Sequence, residues 1–186
     1  MICLKHALLA LVAATVALSF AFGGPTPARA DGGDNVVVAV NTKDGRFLYR
    51  VKLAIKRTND DVVDDANAAV AVASCADCQT VAVAIEGLLV LSDPSIFTPT
   101  NLAIAMNVDC SFCSTLASAY QLAVQAGDQA HLSGAGRHAI AEIRVDLEAI
   151  RREGLTIWEI QARIDALAER LLRVLLTEVE GPPGQH

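Results

Sequence analysis

Four cysteines stand in two pairs of identical spacing. Cys75 and Cys78 lie in a run rich in alanine and valine, and Cys110 and Cys113 lie in a second run of the same kind. Two C-x-x-C pairs supply enough sulfur ligands for a tetrahedral zinc site, and a single pair can exchange a disulfide with a substrate. In an oxidising compartment the same residues form structural disulfides. The spacing therefore leaves three chemistries open: zinc binding, thiol–disulfide exchange and structural bridging.

The first thirty residues indicate the compartment in which these cysteines work. Lys5 gives a positive start, the segment from Ala7 to Phe22 is apolar over 16 residues, and small residues lead up to Ala30. This pattern is typical of a cleaved secretory signal peptide. An uncleaved anchor is disfavoured, because a membrane-spanning helix needs about 20 apolar residues. We therefore expect residues 1–30 to be a signal peptide and the mature protein to be secreted or extracytoplasmic, in the cell envelope, with no membrane span after cleavage.

Export favours disulfides over the other two chemistries. The fifth cysteine, Cys3, leaves with the signal peptide, and the even number that remains is typical of disulfides in an exported protein. The 31 residues between the two pairs exceed the spacing of compact zinc modules. Four cysteines allow three pairings, of which the local one is favoured: Cys75 with Cys78, and Cys110 with Cys113. Zinc binding and thiol–disulfide exchange stay open as alternatives that use the same four residues.

The rest of the sequence supplies no catalytic signature. The mature histidines are His131, His138 and His186, and none of them belongs to an H-E-x-x-H motif. A G-x-S-x-G nucleophile elbow and a phosphate-binding glycine loop are also missing from the sequence. We therefore expect a protein that is not an enzyme, with no catalytic, cofactor-binding or metal-binding residue and no cofactor.

The charge balance restricts the class of partner. Cleavage removes Lys5 and Arg29 and leaves 13 basic residues against 21 acidic ones, a net charge of −8. Nucleic acids and anionic membrane surfaces carry the same sign of charge, so both are disfavoured as partners. A protein therefore stays possible as a partner, but the sequence does not identify which protein. The mature length of 156 residues is that of one ordinary domain.

Each cysteine pair lies in one copy of a duplicated unit, residues 67–90 and residues 101–125. When Asn67 is aligned with Asn101, the cysteine pairs coincide after one inserted residue. Two copies are too few for a solenoid, and alternating valine and isoleucine favour a β-hairpin in each unit. A strand followed by a helix stays open, because the residues between the cysteines are not of the Asn-Gly type. Asn67 and Asn101 are expected at turns or strand edges, bonded to their own backbone.

The flanking segments predict an N-terminal hairpin and a C-terminal helix pair. An Asp-Gly turn at 44–45 precedes alternating apolar side chains from Phe47 to Ile55. A capping box formed by Thr156 and Glu159 marks the start of the second helix. The apolar stripes of the two helices consist of Ile140, Ile143, Leu147 and Ile150 in the first, and Ile160, Ile164, Leu167, Leu171 and Val174 in the second.

These elements predict a fold of the α+β class. We expect an antiparallel β-sheet, built from the N-terminal hairpin and the two repeated C-x-x-C units, packed against a C-terminal antiparallel helix pair. The β-rich domain is expected over residues 31–132 and the helical hairpin over residues 133–180, with a disordered tail at residues 181–186.

Four segments together resemble a known family. They are "NTKDG" at 41–45, "DVVDDANAAVAVASCADCQTVAVAI" at 61–85, "DPSIFTPTNLAIAMNVDCSFCSTLASAYQLAV" at 93–124 and "LTIWEIQARIDALAERL" at 155–171. They are similar to the extracytoplasmic C-terminal region of actinobacterial peptide zinc metalloprotease proteins. The peptidase and membrane-spanning parts of that family have no counterpart here, so no catalytic residue is carried over.

The resemblance implies an exported copy of an accessory domain. The function expected first is therefore a non-catalytic accessory or interaction domain of the cell envelope, stabilised by disulfides. One alternative is a thiol–disulfide redox or zinc-binding protein that uses the two C-x-x-C pairs. A second alternative, implied by the resemblance alone, is a regulator or partner of a membrane peptidase.

Overall fold

The polypeptide winds through three successive coils, and a pair of helices covers one side of them. The computed structural model describes residues 34–181; the expected signal peptide (1–30) and most of the expected tail (182–186) lie outside the described residues. The strands are β1 (Asn35–Asn41), β2 (Phe47–Thr58), β3 (Val62–Val63), β4 (Ala66–Ala73), β5 (Gln79–Val90), β6 (Ile96–Phe97), β7 (Thr100–Asn107), β8 (Ser114–Gln125), β9 (His131–Leu132) and β10 (Val179–Glu180). The helices are α1 (Gly134–Ala149) and α2 (Ile157–Thr177), separated by a 3-10 turn at Ile150–Arg152.

Strands at equivalent positions of successive coils pair in parallel. β1, β4 and β7 form a short sheet, β2, β5 and β8 form a long sheet, and β3 pairs with β6. Paired residues are 32 to 35 positions apart, so that Asn67 pairs with both Asn35 and Asn101. We number the coils 1 to 3 along the chain: residues 35–65, 66–99 and 100–125. The architecture is a three-coil parallel β-solenoid.

The expected antiparallel sheet is wrong, because all three strands of both main sheets run in parallel. The turn at 44–45 does reverse the chain, but β1 and β2 lie in different sheets and face each other through their side chains. Apolar residues alternate in the same way in parallel and antiparallel strands, so the pattern does not reveal which strand accepts the hydrogen bonds. Within residues 34–181, the short β9–β10 pair is the one antiparallel ladder.

The two predicted copies of the cysteine unit lie in coils 2 and 3, and the structure adds a third coil that the sequence analysis did not predict. Coil 1 lacks cysteines, yet its strands pair in register with those of coil 2. After each cysteine pair the chain enters a strand of 12 residues, β5 or β8. A strand followed by a helix is therefore excluded in both units. The favoured hairpin is wrong as well, because β4 and β5, like β7 and β8, lie in different sheets.

Small side chains fill the space between the two main sheets. The inward-facing residues are Val37, Ala39, Leu48, Ala69, Ala71, Ala82, Ala84, Ala117 and Ala119. Cα atoms of β4 and β8, which face each other across this space, approach within 8 Å, closer than the roughly 10 Å usual for stacked sheets. The alanine runs of the sequence thus fit the narrow interior between the two sheets.

The two helices cover the outer face of the long sheet. Their predicted stripe residues are all buried, which confirms the predicted core-facing sides: Ile140, Ile143, Leu147, Ile150, Ile160, Ile164, Leu167, Leu171 and Val174. The Tyr49 hydroxyl donates a hydrogen bond to the Leu147 carbonyl oxygen at 3.0 Å. Gly87 permits the close approach of α2, because a Cβ there would lie 2.8 Å from Ile55 Cδ1 and 3.0 Å from Leu175 Cδ1.

Side-chain caps fix the starts of both helices. Ser133 Oγ accepts a hydrogen bond from the Gly136 amide at 2.9 Å. At α2 the predicted capping box is confirmed, since Thr156 and Glu159 each bond the other's backbone amide. In residues 34–181 no helix combines the length and apolar character needed to cross a bilayer.

Candidate functional site

The two C-x-x-C turns stack directly on each other where the chain passes from the short sheet to the long one. Ala76 and Ser111 form a parallel β-bridge. The Asp77 amide donates to the Ser111 carbonyl at 2.8 Å, and the Ser111 amide donates to the Cys75 carbonyl at 3.3 Å. The ladders of the two sheets therefore continue through the turns, which bring all four cysteines to one place, here called the cysteine corner: Cys75, Cys78, Cys110 and Cys113.

Each turn has a residue in the left-handed backbone region before its second cysteine position, and coil 3 has another, Asp109 at φ 49°, before its first cysteine. The residue before the second cysteine has φ 50° at Asp77 and φ 55° at Phe112, and Gly45 has φ 65° at the equivalent position of coil 1. Glycine and aspartate tolerate this conformation, whereas a bulky aromatic residue adopts it at a cost. The Phe112 side chain is 92% exposed, so packing within the described chain does not repay that cost.

Disulfide bonds, expected from the sequence, are present in the structure. Cys75 is joined to Cys78 and Cys110 to Cys113, with Cα–Cα distances of 6.1 and 6.0 Å. The coil 2 pair is buried, with 6% and 4% exposure, while the coil 3 pair is half-buried. The two bonds lie close together, since 3.4 Å separates Cys78 Sγ from Cys113 Sγ.

Coil 1 carries two cations where the other coils carry cysteines. The strand registers and the positive-φ residues align Lys43 with Cys75 and Arg46 with Cys78. The coil 1 turn is held by polar contacts instead of a bridge: Asn41 Nδ2 donates to the Arg46 carbonyl at 2.9 Å. The cysteine corner is therefore the feature that distinguishes coils 2 and 3 from coil 1.

The corner can support two kinds of chemistry, according to its oxidation state. As disulfides, the cysteines have no thiolate to offer and stiffen the turns. In reduced form, Cys75, Cys78 and Cys113 would present sulfur atoms that lie within 4.8 Å of one another. Sulfurs bound to a tetrahedral zinc ion are about 3.8 Å apart, given a Zn–S bond of about 2.3 Å. The positions fit a thiolate metal site only after both bridges are reduced.

A second polar group lies inside the solenoid, towards the other end of the strands. The Lys56 ammonium contacts Asp65 at 2.8 Å and Glu86 at 2.5 Å. Gln121 Nε2 donates to Glu86 Oε2 at 2.7 Å and to the Asp65 carbonyl at 3.1 Å. Glu86 is fully buried. These four residues, here called the ionic cluster, bond all three coils together through side chains.

The pKa of Lys56 is raised by this arrangement. Burial alone lowers the pKa of the ammonium, but hydrogen bonds to Asp65 and Glu86 and their negative charges outweigh it. The ammonium is therefore held in its charged form, as the two buried carboxylates require. Because its charges are paired within the chain, the ionic cluster has the character of a structural element.

Three asparagines form a ladder across the coils. Asn35 Nδ2 donates to Asn67 Oδ1 at 2.8 Å, and Asn67 Nδ2 donates to Asn101 Oδ1 at 2.7 Å. Asn67 and Asn101 also bond the carbonyls of Ala84 and Ala119 in the facing sheet. The expectation that these asparagines bond their own backbone is wrong, because the solenoid brings their equivalents from other coils within reach.

The sequence therefore identified the cysteines but missed most of their surroundings. Lys56 alternates with apolar residues as a solvent-facing lysine would, and Glu86 and Gln121 belong to no motif. One usable signal was present: Asn35, Asn67 and Asn101 are separated by 32 and 34 positions, which is the period of the coils. The histidines contribute nothing to either group, because His131 lies beside Glu180 and His138 beside Glu142, and His186 is outside the described residues.

Fold and site define a class: a short parallel β-solenoid that is covered by two helices and bridged by stacked disulfides at one corner. No protein-family model, no curated protein and no solved structure matches the chain significantly. The function is therefore argued from the site itself.

Proposed function

We propose that this protein is a non-catalytic exported domain of the cell envelope that serves in interaction, and that its cysteines brace the scaffold. The observation that carries the proposal is the cysteine corner. Each bridge closes one turn of the solenoid, and the two bridges stack in adjacent coils. A solenoid of three coils has few neighbours to stabilise each turn, and a covalent link supplies what packing does not.

The burial of the coil 2 pair supports a structural role. A cysteine that attacks a substrate disulfide must reach solvent as a thiolate. Cys75 and Cys78 are 6% and 4% exposed and form an apolar cluster with Ala73. Their sulfur atoms are not presented to a macromolecular substrate.

The exported location is supported by the leader-like sequence of residues 1–30, by the disulfides and by the resemblance to extracytoplasmic regions. Disulfides persist in oxidising compartments and are rare in the cytosol. The acidic mature chain and the lack of a catalytic signature are in keeping with an interaction partner that is a protein.

A thiol-based function is the second candidate, and one observation favours it. The coil 3 pair is half-buried, and Cys113 Sγ lies 3.4 Å from Cys78 Sγ. A thiolate formed at Cys113 would lie within reach of the neighbouring bridge, as disulfide exchange requires. The same sulfur atoms are those that could bind zinc after reduction.

One redox titration separates the two candidates. The protein, purified without reductant, is equilibrated in thiol buffers of graded potential and its free thiols are counted by alkylation and mass spectrometry. We expect no alkylation before reduction, no bound zinc, and a reduction potential below about −300 mV, as for structural bridges. The variant Cys110→Ser/Cys113→Ser serves as control and should titrate two thiols at the potential of the buried pair.

A different result would favour the second candidate. Four thiols in the purified protein, or one equivalent of bound zinc, would contradict the bracing role. So would a potential near that of known thiol oxidants, about −120 to −180 mV, together with reduction of insulin by the protein.

A further inference from the structure

The last coil leaves two strand edges free. Among residues 34–181 no strand pairs with the outer edge of β7 or of β8. The inward-facing residues of β7 are exposed because no fourth coil covers them: Asn101, Ala103, Ala105 and Asn107. The facing residues Ala117 and Ala119 of β8 are half-buried for the same reason. Coil 3 therefore presents an open end with a small-residue interior.

These edges lack the protection that natural sheets normally have. Exposed edge strands usually carry charges or proline, which prevent pairing with another chain. β7 reads "TNLAIAMN" and β8 reads "STLASAYQLAVQ", and neither contains a charged residue or a proline. Together they offer 20 residues of unprotected edge, which is the property expected of a surface that pairs.

The strands of coil 1 are also unpaired on their outer edges among residues 34–181, but coil 1 differs from coil 3 in burial and in charge. Asn35 and Asn41 in β1 have no exposed surface, and Ala39 is 1% exposed. Asn35 Oδ1, the acceptor at the start of the asparagine ladder, is buried without a hydrogen-bond partner. Asn101, at the other end of the same ladder, is exposed. The inward-facing residues of the short sheet are therefore buried at the coil 1 end and exposed at the coil 3 end.

Charge also excludes head-to-tail stacking of copies. The inward-facing positions of β2 that align with Ala82 and Ala84 are Arg50 and Lys52, both exposed. Stacking coil 3 of one copy on coil 1 of the next would place these cations against Ala117 and the rest of an alanine interior. A buried cation without a partner costs several kcal/mol, so that arrangement is disfavoured.

We propose that two copies of this chain join through coil 3 about a two-fold axis perpendicular to the sheets. β7 then pairs with β7 of the second copy and β8 with β8, each pair running antiparallel, and both sheets continue without a break. A two-fold arrangement uses the same open surface on both copies and ends there, because each coil 1, whose β2 carries the exposed cations Arg50 and Lys52, points outwards. In this arrangement the inward-facing alanine side chains of coil 3 in one copy pack against those of the second copy.

The contact is small, and this sets the expected affinity. The longer strand, of 12 residues, is about 40 Å long and the sheets lie less than about 10 Å apart, so the end covers at most about 400 Å² in each copy. Contacts of that size belong to the weak class of interfaces. Backbone hydrogen bonds along both strand edges add to the stability of the contact. We expect a dissociation constant in the micromolar range.

Sedimentation equilibrium over a concentration series tests the dimer. The oxidised protein should pass from the mass of one chain to that of two, and stop there. Ala103→Lys places a charge on the open interior at an exposed position, and we expect it to weaken the association at least tenfold while circular dichroism stays unchanged. Val145→Lys, on the exposed side of α1 and 68% exposed in the unsubstituted protein, is the matched control and should dimerise normally.

Three outcomes would overturn the proposal: a single-chain mass at about 200 µM, far above the range expected for the contact; masses that grow beyond two chains; or undiminished association of Ala103→Lys. If Ala103→Lys does not fold, hydrogen exchange of the unsubstituted protein decides. Outer-edge amides of β7 and β8 should gain protection as the concentration rises, and concentration-independent exchange there would contradict the dimer. All of these measurements use the oxidised protein, so failure of the dimer leaves the redox titration that tests the bracing role unaffected.

Discussion

Each coil passes between the two sheets at both ends of its strands, and the two ends of the strands are stabilised by different means. At the cysteine corner, covalent bonds join residues three positions apart within one coil. At the ionic cluster, Lys56 of coil 1 contacts Asp65 of the same coil and Glu86 of coil 2, and Glu86 is bonded to Gln121 of coil 3. The disulfides stabilise each turn within its own coil, whereas the ionic cluster links neighbouring coils to each other.

This difference separates local shape from register. A bridge across three residues restricts a turn but does not choose the neighbour on which that turn stacks. A buried carboxylate paired with a lysine from the next coil is satisfied in one register, and a slip leaves the charge without its partner. The two regions therefore respond to different conditions, the corner to reductants and the ionic cluster to pH.

The largest effect is expected from removing the cation of the ionic cluster. Lys56→Met keeps most of the side-chain volume but leaves Asp65 and Glu86 buried without a counter-charge. We expect the free energy of unfolding to fall by about 3–5 kcal/mol, as for other buried pairs that lose one partner. Urea unfolding followed by far-ultraviolet circular dichroism measures the change. The control is Lys52→Met on the same strand, at an exposed position, where a change below about 0.5 kcal/mol is expected.

The pH dependence of the same variant sharpens the comparison. Because the pKa of Lys56 is raised in the folded protein, its contribution is complete below the unfolded value of about 10.4 and is lost as the pH rises through the folded value. Tyr120 acts in the same direction, since burial and a hydrogen bond to Asp165 raise its pKa to about 12. The difference in stability between the unsubstituted protein and Lys56→Met should therefore shrink above about pH 10.4. A difference that stays constant to pH 12 would show that Lys56 acts by packing alone.

The cysteine corner should show a smaller effect, and its two bridges should differ. A closed loop of about four residues corresponds to about 2 kcal/mol of chain entropy. We expect Cys110→Ala/Cys113→Ala to lose about that amount, and Cys75→Ala/Cys78→Ala to lose about 1 kcal/mol more because buried sulfur atoms are removed from a packed cluster. Unfolding in urea with and without reductant measures both. Equal losses, or a larger loss for the coil 3 pair, would contradict the burial argument.

The smallest effect concerns the turn residue of coil 3. Phe112→Gly replaces an exposed aromatic residue at φ 55° with the residue that coil 1 uses at the same position, Gly45. We expect a gain of up to about 1 kcal/mol, since relief of strain exceeds the entropy cost of glycine. Gly45→Ala is the reverse control and should lose about 1 kcal/mol. A loss of stability in Phe112→Gly would show that the aromatic ring has a contact that the described chain does not reveal.

Features of the fold that depend on one segment were predictable from the sequence. The helix stripes, the Thr156–Glu159 capping box and the presence of disulfides follow from local spacing, and all are found. The direction of the strands was not predictable, because it depends on partners 32 to 35 positions away. An Asp-Gly turn is compatible with a hairpin and with an arc between two sheets, and Gly45 at φ 65° serves the second.

The sequence predicted the site only where the residue type itself indicates the chemistry, as it does for cysteine. The cysteine spacing identified the cysteine corner. Coil 1 has Lys43 and Arg46 at the positions aligned with cysteines, so the sequence did not show that coil 1 belongs to the same repeat. Lys56 alternates with apolar residues as a solvent-facing lysine would. In the folded protein, the winding of the chain brings Asp65 and Glu86 into contact with the Lys56 ammonium. No local pattern in the sequence indicates these contacts.

The nearly constant separation of paired residues also determines the order in which the protein assembles. Every long-range pairing of the solenoid closes a loop of similar length, so the entropic cost of adding each coil is nearly the same. The first pairing of two coils has no template and is the slow step, whereas a third coil adds to edges already in place. Coil 2, with neighbours on both sides, should exchange its amide protons last. The coils at the two ends, held on one side only, are the parts of the solenoid that open first.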